Sequence, residues 1–475
     1  MAWTEAELAQ ALGGVLSPAQ ALVGSSAARA YDCDAYTVDR SAPAVIVFPT
    51  STDQVAAVVR WCVENEVVFT PRGAGTGLSG GAMPALGGVV ISLKRMTEIL
   101  EIDLPNRRLR AQTGVANLRI TDAVRADGYH FAPDPSSQSV STLGGNIAEN
   151  SGGPHTLKYG VTYPHIQGMT WVAPDGSINT VGGGAVGGPG IDLMALLVGA
   201  EGTLGIVTEA WVRLTPIPQQ VETVLVSFPS IRSATECVSG IIADGVLPAA
   251  LEMVDGKIMH ALRIAFGLQF PEEAQALLLV ECDGPEAAPE IAKVEECCAR
   301  NGCIRCERAR DEEHRKQLWT ARKKGVGAMG RLAPSIVTHD GVIPRSKLPE
   351  MLEFVYAVGA EHGIGVANIF HAGDGNLHPC MYFDDRDPAQ VEAVVAAGEK
   401  IIRRCLELGG SVTGEHGVGV EKAGLLKLMF SADDLDAQML CKMALNPGSL
   451  CNPCKVFPDQ RGCVEHMRRW RGVAT

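Results

Sequence analysis

The sequence has no apolar run approaching the roughly 20 residues that cross a bilayer. It also has no internal repeat, no low-complexity linker and no basic segment at its start, where Glu5 and Glu7 already stand. A membrane-spanning protein, a repeat array and a signal peptide are therefore not expected. Positive charge is scarce too. The net charge of -13 argues against a nucleic-acid partner, because a phosphate-binding face needs clustered Lys and Arg.

The composition is that of a globular protein, with 46% apolar and 20% charged residues over a length of 475, enough for two or three domains. We expect a cytoplasmic location, with peripheral association at the inner face of the membrane left open. In a reducing compartment the 14 cysteines are expected to be thiols rather than a disulfide framework. The 53 glycines sit in clusters, which indicates backbone that approaches a large ligand closely.

One glycine cluster follows a predicted strand at Val67–Thr70 and reads PRGAGTGLSGGA, from Pro71 to Ala82. Closely spaced glycines expose consecutive amide N–H groups, which can wrap a pyrophosphate. A Rossmann loop needs a helix directly after the glycines. Here more glycines, Pro84 and a strand follow, so that alternative is disfavoured. Later loops (APDPSSQ, LGGNIAENSGG and GAEGTLGIVTE) could each be ordinary, but together they point to one extended ligand.

Two segments of the second half, HAGDGNLHP from His371 and GEHG from Gly414, gather three histidines and an acid. The apolar run Val366–Phe370 predicts a strand, and Asp374-Gly375-Asn376 predicts a tight turn, so His371 and His378 should face each other across a hairpin. Imidazoles and one carboxylate form a ligand set that leaves metal positions open for substrate. The alternative is turn and core histidines beside a capping acid.

Taken together, these motifs resemble the FAD-linked 2-hydroxyacid dehydrogenases of the vanillyl-alcohol-oxidase-like superfamily. The closest likeness is to flavin-bearing subunits of bacterial glycolate oxidases and to D-lactate dehydrogenases. The match runs from about Tyr31 to Pro458, and the motifs stand in the family's order and spacing. The resemblance implies an α+β fold: a two-part FAD-binding domain of the vanillyl-alcohol-oxidase (PCMH) type, an α+β substrate domain with an antiparallel sheet, and a C-terminal segment returning to the FAD.

The resemblance also implies a division of the chain into four parts. These are an N-terminal helical segment (1–40), the FAD-binding domain (41–218), a substrate and metal domain (219–430), and a C-terminal helical segment that packs near FAD (431–475).

The resemblance assigns FAD contacts to residues of all the glycine loops. The residues implied are Arg72, Gly73, Ala74, Gly75, Thr76, Gly77, Ser79, Gly80, Pro133, Asp134, Ser136, Gly144, Gly145, Asn146, Asn150, Gly152, Gly153, Glu201, Gly205, Ile206 and Val207. Relatives that link FAD covalently through the first loop carry a histidine near Thr76. None stands between Arg72 and Gly81, so non-covalent FAD is implied.

By the same resemblance, His371, His378 and Glu415 bind a divalent metal, with zinc favoured over manganese or iron, and His416 is the catalytic base. Arg322 is the candidate partner of the substrate carboxylate through its planar fork, and a solvated helix face is the alternative. The chain departs from the family at Asn446 and Cys454, which leaves the role of Lys455 open. Thr338 and Cys380 replace residues that grip a second carboxylate, so a short monocarboxylate is expected.

A different pattern, Cys298, Cys303 and Cys306, has the spacing of a plant-type iron–sulfur site. A helix at Pro289–Arg300 would instead direct its cysteines to a core, and no fourth cysteine lies at the expected distance, so the cluster is disfavoured.

The resulting hypothesis is FAD-dependent oxidation of a small D-2-hydroxy acid, glycolate or D-lactate, with electrons passed to an iron–sulfur subunit or a quinone. The alternatives are a metal-dependent hydrolase whose glycine loops bind another phosphate ligand, and a non-catalytic FAD-bearing scaffold subunit.

Overall fold

The computed structural model describes residues 3–183 and 190–458, so the end of the predicted C-terminal segment lies outside the described residues. The α-helices in this part of the chain are α1 Glu5–Val15, α2 Ser25–Arg29, α3 Thr52–Glu64, α4 Asn117–Val124, α5 Leu143–Glu149, α6 Thr156–Tyr159, α7 Leu193–Leu197, α8 Ile231–Ala243, α9 Gly256–Phe266, α10 Ala287–Arg300, α11 Glu312–Ala328, α12 Leu348–Glu361, α13 Pro388–Glu407, α14 Leu426–Met429 and α15 Ala432–Leu445.

The strands are β1 Ala21–Leu22, β2 Val45–Val47, β3 Phe69–Arg72, β4 Val89–Ser92, β5 Ile99–Asp103, β6 Arg108–Gln112, β7 Tyr129–His130, β8 Ile166–Val172, β9 Ile178–Gly182, β10 Ile206–Arg213, β11 Thr215–Pro216, β12 Val221–Phe228, β13 Ala250–Asp255, β14 Ala276–Asp283, β15 Arg305–Arg308, β16 Ser335–Thr338, β17 Gly341–Val342, β18 Gly365–His371, β19 Asn376–Leu377 and β20 Pro379–Phe383.

The chain divides into two compact units. Unit 1 comprises Met1–Ser151, Val161–Pro216 and His416–Thr475, and unit 2 comprises Gly152–Gly160 and Ile217–Glu415. The four-part division expected from the sequence stays a prediction.

Unit 1 contains two principal sheets. In the four-stranded sheet, ordered β1-β2-β4-β3, the strands β2, β4 and β3 run parallel. The glycine-rich loop after β3 leads to β4 rather than into a helix, as expected for a loop that is not of the Rossmann type. The five-stranded sheet, ordered β5-β6-β10-β8-β9, is antiparallel. Unit 1 has two apolar cores. The first lies around α3 and α1 and includes Val172 and Ile206 from the ends of β8 and β10, and the second is formed mainly by the five-stranded sheet.

The C-terminal segment returns to unit 1. Cys451 forms a parallel bridge with Phe69 of β3, and the Asn452 side chain donates to the carbonyl oxygens of Gly81 (2.9 Å) and Glu201 (2.6 Å). Asn446 is buried and donates to the carbonyl of Thr203. These buried amide contacts tie three distant chain segments together, so the last part of the chain belongs to the same structural unit as the glycine loops.

Unit 2 is built on a nine-stranded antiparallel sheet, whose main path is β15-β12-β14-β13-β18-β19-β17 and to which β20 and β16 add beside β18. The strands β13, β14 and β18 are almost entirely buried, because α9 and α11 form an apolar core with them. In β13, however, Glu252 interrupts the apolar sequence and is only 1% exposed. A carboxylate at such a position needs a specific partner.

None of the helices in residues 3–183 and 190–458 is long and apolar enough to cross a membrane. Within residues 3–183 and 190–458, twelve cysteines are free thiols. Cys454 is disulfide-bonded, so the expectation of thiols throughout is wrong at that position.

Candidate functional site

A cavity in unit 1 lies where the glycine-rich loops meet. The loop after β3 forms one wall, and the first turn of α5 forms another. Thr142 caps α5, its hydroxyl accepting the backbone N–H of Gly145 at 3.2 Å. The turn between α7 and β10 supplies a third wall. Nine of its twenty lining residues are glycine or alanine, which leave backbone exposed, and larger side chains such as Trp171 and Leu197 supply the rest of the wall.

Eight of the residues expected to contact FAD line this cavity: Arg72, Gly73, Gly144, Gly145, Glu201, Gly205, Ile206 and Val207. Other lining residues were not singled out from the sequence, among them Ala82, Thr142, Glu149, Trp171 and Leu197. Thr142 could have been identified from the sequence, because a Thr directly before a predicted helix is a typical N-cap. For Glu149 there was no such signal, because an acid at a helix C-terminus is usually solvated.

The remaining expected FAD contacts do not line the cavity: Ala74, Gly75, Thr76, Gly77, Ser79, Gly80, Pro133, Asp134, Ser136, Asn146, Asn150, Gly152 and Gly153. Two of them have structural bonds instead. The Asn146 side chain donates to the side-chain oxygen of Asn117 at 2.9 Å, and the Asn150 side chain accepts the N–H of Tyr163 at 2.8 Å. Gly152 and Gly153 fall in unit 2, where a Cβ on Gly152 would stand 2.7 Å from a Glu415 oxygen. All these assignments stay predictions.

The cavity suits FAD in three respects. A Cβ on Gly73 would stand 2.3 Å from the Thr142 hydroxyl, so this wall is shaped for close backbone approach. Arg72 is buried beside it and brings the positive charge that a pyrophosphate needs. Glu149 Oε2 is buried without a hydrogen-bond partner among the described residues, and a ribityl hydroxyl or a ring N–H supplies such a donor.

The two carboxyl groups at the cavity have perturbed acidities. Burial, together with the neighbouring Glu201, raises the pKa of Glu149 well above its usual value. Burial also raises the pKa of Glu201 to about 7, although two backbone N–H groups and the charges of Lys422 and Lys455 act in the opposite direction. Lys455 itself is fully buried, which lowers its pKa to about 8.

In unit 2 the predicted hairpin is present. His371 ends β18, β20 pairs antiparallel with β18, and His371 stands opposite Asn376 across the turn. The rings of His371 and His378 lie 5.0 Å apart at an interplanar angle of 83°. Glu415 joins them: its Oε1 is 2.9 Å from His371 Nε2 and 3.4 Å from His378 Nε2. These three side chains therefore form one cluster.

The cluster fits a divalent metal. The nitrogen and oxygen ligand atoms of His371, His378 and Glu415 all lie within 4.8 Å of one another. The other ring nitrogen of His371, Nδ1, is 2.7 Å from Glu252 Oε1. A carboxylate behind a histidine is the usual arrangement at metal sites, because it fixes the ring orientation and tautomer and leaves the opposite nitrogen for the metal.

Arg322 lies behind this carboxylate. Its Nε–H donates to Glu252 Oε2, and both side chains are buried. Burial raises the pKa of Glu252, but Arg322 and His371 hold that pKa below its usual value. Burial would lower the pKa of His371, yet Glu252 and Glu415 hold it well above its usual value. Arg322 is thus no solvated helix residue, and its terminal amino groups are not used in the bond to Glu252.

Asp340 holds the backbone of the second motif. Its carboxylate accepts the N–H of Gly414 at 2.8 Å and that of Glu415 at 3.3 Å, and its Oδ1 is 3.6 Å from His378 Nε2. Neither Asp340 nor Glu252 was identified from the sequence as part of the site. For Glu252, the available signal was a carboxylate within the apolar strand sequence of β13.

The boundary between the two units falls between Glu415 and His416, so the predicted base begins the C-terminal part of unit 1. His416 is half-buried.

The cysteine pattern forms no metal site in the described ranges, because no cysteine belongs to a group whose ligand atoms could hold an ion. Cys298 is buried on α10, 3.6 Å from the sulfur of Cys237, whereas Cys306 is exposed on β15.

Comparison with known proteins agrees with both halves of this structure. Residues 43–182 match the family model described as "FAD binding domain", and residues 217–456 match "FAD linked oxidases, C-terminal domain". The chain therefore belongs to the FAD-linked oxidases, and it is an FAD-binding oxidoreductase.

Among its relatives, the glycolate oxidase subunit GlcD of Escherichia coli strain K12 is 40% identical over 437 residues, covering 92% of this chain and 88% of that protein. A D-lactate dehydrogenase of Anaerostipes hadrus is 31% identical over 453 residues, covering 93% and 95%. A solved structure of p-cresol methylhydroxylase with substrate bound matches with a TM-score of 0.80 at 16% identity, covering 96% of this chain and 97% of that one. This last likeness concerns the fold alone and confirms the predicted α+β architecture of the vanillyl-alcohol-oxidase type.

Proposed function

We propose that this protein oxidises a small D-2-hydroxy acid, glycolate or D-lactate, to the 2-oxo acid. The observation that carries the proposal is the buried cluster of His371, His378 and Glu415 with Glu252 behind it. An FAD-linked oxidoreductase does not need a metal-binding donor set for hydride transfer itself. Such a set is suited to a substrate that chelates through a hydroxyl and a carboxylate.

We propose that the three side chains hold a divalent metal, zinc in preference to manganese or iron. Two imidazoles and one carboxylate are a common zinc set that leaves coordination positions open. When bound, the metal lowers the pKa of a coordinated hydroxyl group and orients the substrate. Glu252 and Asp340 would keep the donor atoms in place, since one bonds His371 and the other fixes the backbone of Glu415.

His416 is the proposed base. It directly follows the ligand Glu415, and an imidazole accepts a proton near neutral pH. Arg322 is the proposed partner of the substrate carboxylate through its terminal amino groups, while its Nε–H stays on Glu252. The same residue would thereby contribute to substrate binding and to the support of His371.

The substrate is proposed to carry a single carboxylate. Thr338 and Cys380 are paired across β16 and β20, with the Thr338 hydroxyl 3.5 Å from the cysteine sulfur. Cys380 is fully buried, which raises its pKa to about 11, so it is an uncharged thiol. Neither side chain offers the positive charge that a second carboxylate would need.

FAD is proposed to bind non-covalently, since no histidine occurs between Arg72 and Gly81. When bound, the flavin would supply the acceptor for the hydride that leaves the substrate Cα. The mechanism requires that a substrate held by unit 2 reaches the flavin held by unit 1. Release of intact FAD on acid precipitation tests the non-covalent linkage.

The electron acceptor is proposed to be an iron–sulfur subunit or a quinone. This protein is itself proposed to be cytoplasmic and to associate peripherally with the membrane. Support for a partner subunit comes from the relative GlcD, which is named as a subunit.

Of the alternatives, membership of the FAD-linked oxidases disfavours a metal-dependent hydrolase. A non-catalytic scaffold subunit would bind FAD, but no 2-hydroxy acid would reduce its flavin.

The experiment is anaerobic mixing of the purified flavoprotein with a panel of D- and L-2-hydroxy acids, followed by absorbance. We expect glycolate or D-lactate to bleach the flavin, and a metal chelator to prevent bleaching. A flavin that stays oxidised with every acid would contradict the proposal and favour the scaffold, and bleaching by L-acids alone would contradict the stereochemistry.

A further inference from the structure

The backbone that follows His416 is bound by a side chain more than two hundred residues earlier in the chain. Glu201 Oε1 accepts the N–H of Val418 at 2.6 Å, and its Oε2 accepts the N–H of Gly419 at 2.7 Å. Hydrogen bonds from two successive amides to one carboxylate fix both the position and the direction of the segment. The two contacts are short and buried, and all the residues belong to unit 1.

Glu201 is itself held rigidly. It is 4% exposed, its N–H donates to Ala148 at 2.9 Å, and its carbonyl accepts the Asn452 side chain at 2.6 Å. Its φ of +49° is unusual for a residue other than glycine. Left-handed backbone at a bulky residue costs conformational energy and persists where the surroundings hold it. The backbone that carries the Glu201 carboxylate is thus held in place.

Gly417, between His416 and the bound amides, is packed against this carboxylate. An added Cβ would stand 2.8 Å from Glu201 Oε1 and 2.1 Å from Glu149 Oε2, and the residue has a φ of +85°. Only glycine allows the chain to pass so close to both oxygens. His416 therefore lies one residue before a contact that leaves the backbone almost no freedom.

We propose that Glu201 is a positioning residue for His416, an inference that rests on the proposed function of His416 as the base. Glu201 was expected from the sequence to contact FAD, and it does line the cavity. Its carboxylate oxygens, however, are used by Val418 and Gly419. Its main task is to hold the imidazole where it can take the hydroxyl proton.

The test uses Glu201→Gln in the full-length protein. The amide keeps one acceptor oxygen but turns an NH₂ group toward the second backbone N–H, so two donors meet at one of the contacts. Flavin reduction is measured in a single turnover with glycolate or D-lactate, and the rate is expressed per bound flavin. We expect a fall of roughly 100-fold, as for a catalytic group misplaced by about 1 Å. The half-saturating substrate concentration should not change.

A double-mutant cycle separates positioning from general damage. If Glu201 acts through His416, the variant His416→Ala/Glu201→Gln should reduce its flavin as fast as His416→Ala alone. The matched control is Glu209→Gln, which removes a carboxylate from β10 outside the cavity and should leave the rate unchanged. Should Glu201→Gln fail to fold, Gly417→Ala disturbs the same contact from the other side and should slow reduction in the same non-additive way.

The outcomes distinguish this inference from the proposed function. If His416→Ala reduces its flavin as fast as the wild type, His416 is not the base and both fail. If His416→Ala is slow but Glu201→Gln is normal, the positioning role alone is wrong. Additive effects in the cycle would likewise overturn it, because they would show that Glu201 acts on the cofactor or the fold independently of His416.

Discussion

The cavity of unit 1 and the histidine cluster of unit 2 are built in opposite ways. The cavity is formed largely by loops whose glycines let the backbone approach a ligand, with Arg72 and two carboxyls as its charged side chains. The cluster is formed by imidazoles and carboxylates, nearly all buried and paired with one another. Exposed backbone can contact an extended cofactor along its length, whereas a cluster of side chains can hold an ion and a small substrate.

The two sites should therefore respond to different mutations. Substitution of the proposed base, or of a carboxylate that supports a metal ligand, should leave FAD bound. Substitution of a glycine at the cavity wall should leave the metal bound. The predictions below are arranged from the largest expected effect to the smallest, and each would break this contrast if it failed.

Replacement of His416 by Ala is expected to have the largest effect. General-base catalysis contributes typically about 10²- to 10⁴-fold, so flavin reduction per bound FAD should fall by that factor. The yellow colour and the metal content should remain. Stopped-flow reduction at the wild-type rate would remove His416 as the base.

Replacement of Glu252 by Gln should weaken the metal site. Because the carboxylate fixes the orientation of His371 and is itself held by Arg322, its loss should reduce metal affinity by about 10- to 100-fold. Competition of the metal-free protein with a chromophoric chelator measures this directly, and FAD content should not change.

Two variants serve as references for the metal affinity of Glu252→Gln. His371→Ala removes a ligand and sets the lower limit of affinity. Glu281→Gln removes another buried carboxylate of the same sheet, one bound to Trp319, Arg315 and His155 rather than to His371 or His378, and should keep wild-type affinity. Equal metal binding by Glu252→Gln and Glu281→Gln would show that Glu252 does not support the ligand.

Replacement of Gly73 by Ala should affect the other site. The new Cβ would stand 2.3 Å from the Thr142 hydroxyl, which caps α5 at the cavity wall. We expect FAD to bind about tenfold more weakly, equivalent to about 1.4 kcal/mol, with the metal retained. Fluorescence of released flavin measures the affinity.

Gly14→Ala is the control for Gly73→Ala, because an added Cβ there meets no atom within 4 Å. Unchanged FAD affinity in Gly73→Ala would show that this wall does not lie against the cofactor.

Replacement of Arg322 by Lys should have the smallest effect. A lysine keeps the charge but cannot bond Glu252 and a carboxylate with one planar fork. The substrate concentration for half-maximal reduction should rise severalfold, and the limiting rate should change little. Unchanged kinetics would show that Arg322 bonds Glu252 but does not bind the substrate carboxylate.

Much of this protein could be predicted from local sequence. The hairpin between His371 and His378 and the strand after the first glycine loop both follow from apolar patterns and turn residues over a few positions. The supporting residues could not be found in this way. Glu252 is opposite His371 only because β13 and β18 pair in that register, and Glu201 reaches Val418 across 217 positions.

The sequence by itself determined where backbone could approach a cofactor and which side chains could bind a metal. Both are local properties, since a glycine lacks a Cβ and an imidazole is a ligand wherever it stands. Only the tertiary structure decided which carboxylate orients His371 and which one holds the backbone after His416. Those choices depend on strand register and on loops that meet from distant parts of the chain, and no short stretch of residues contains that information.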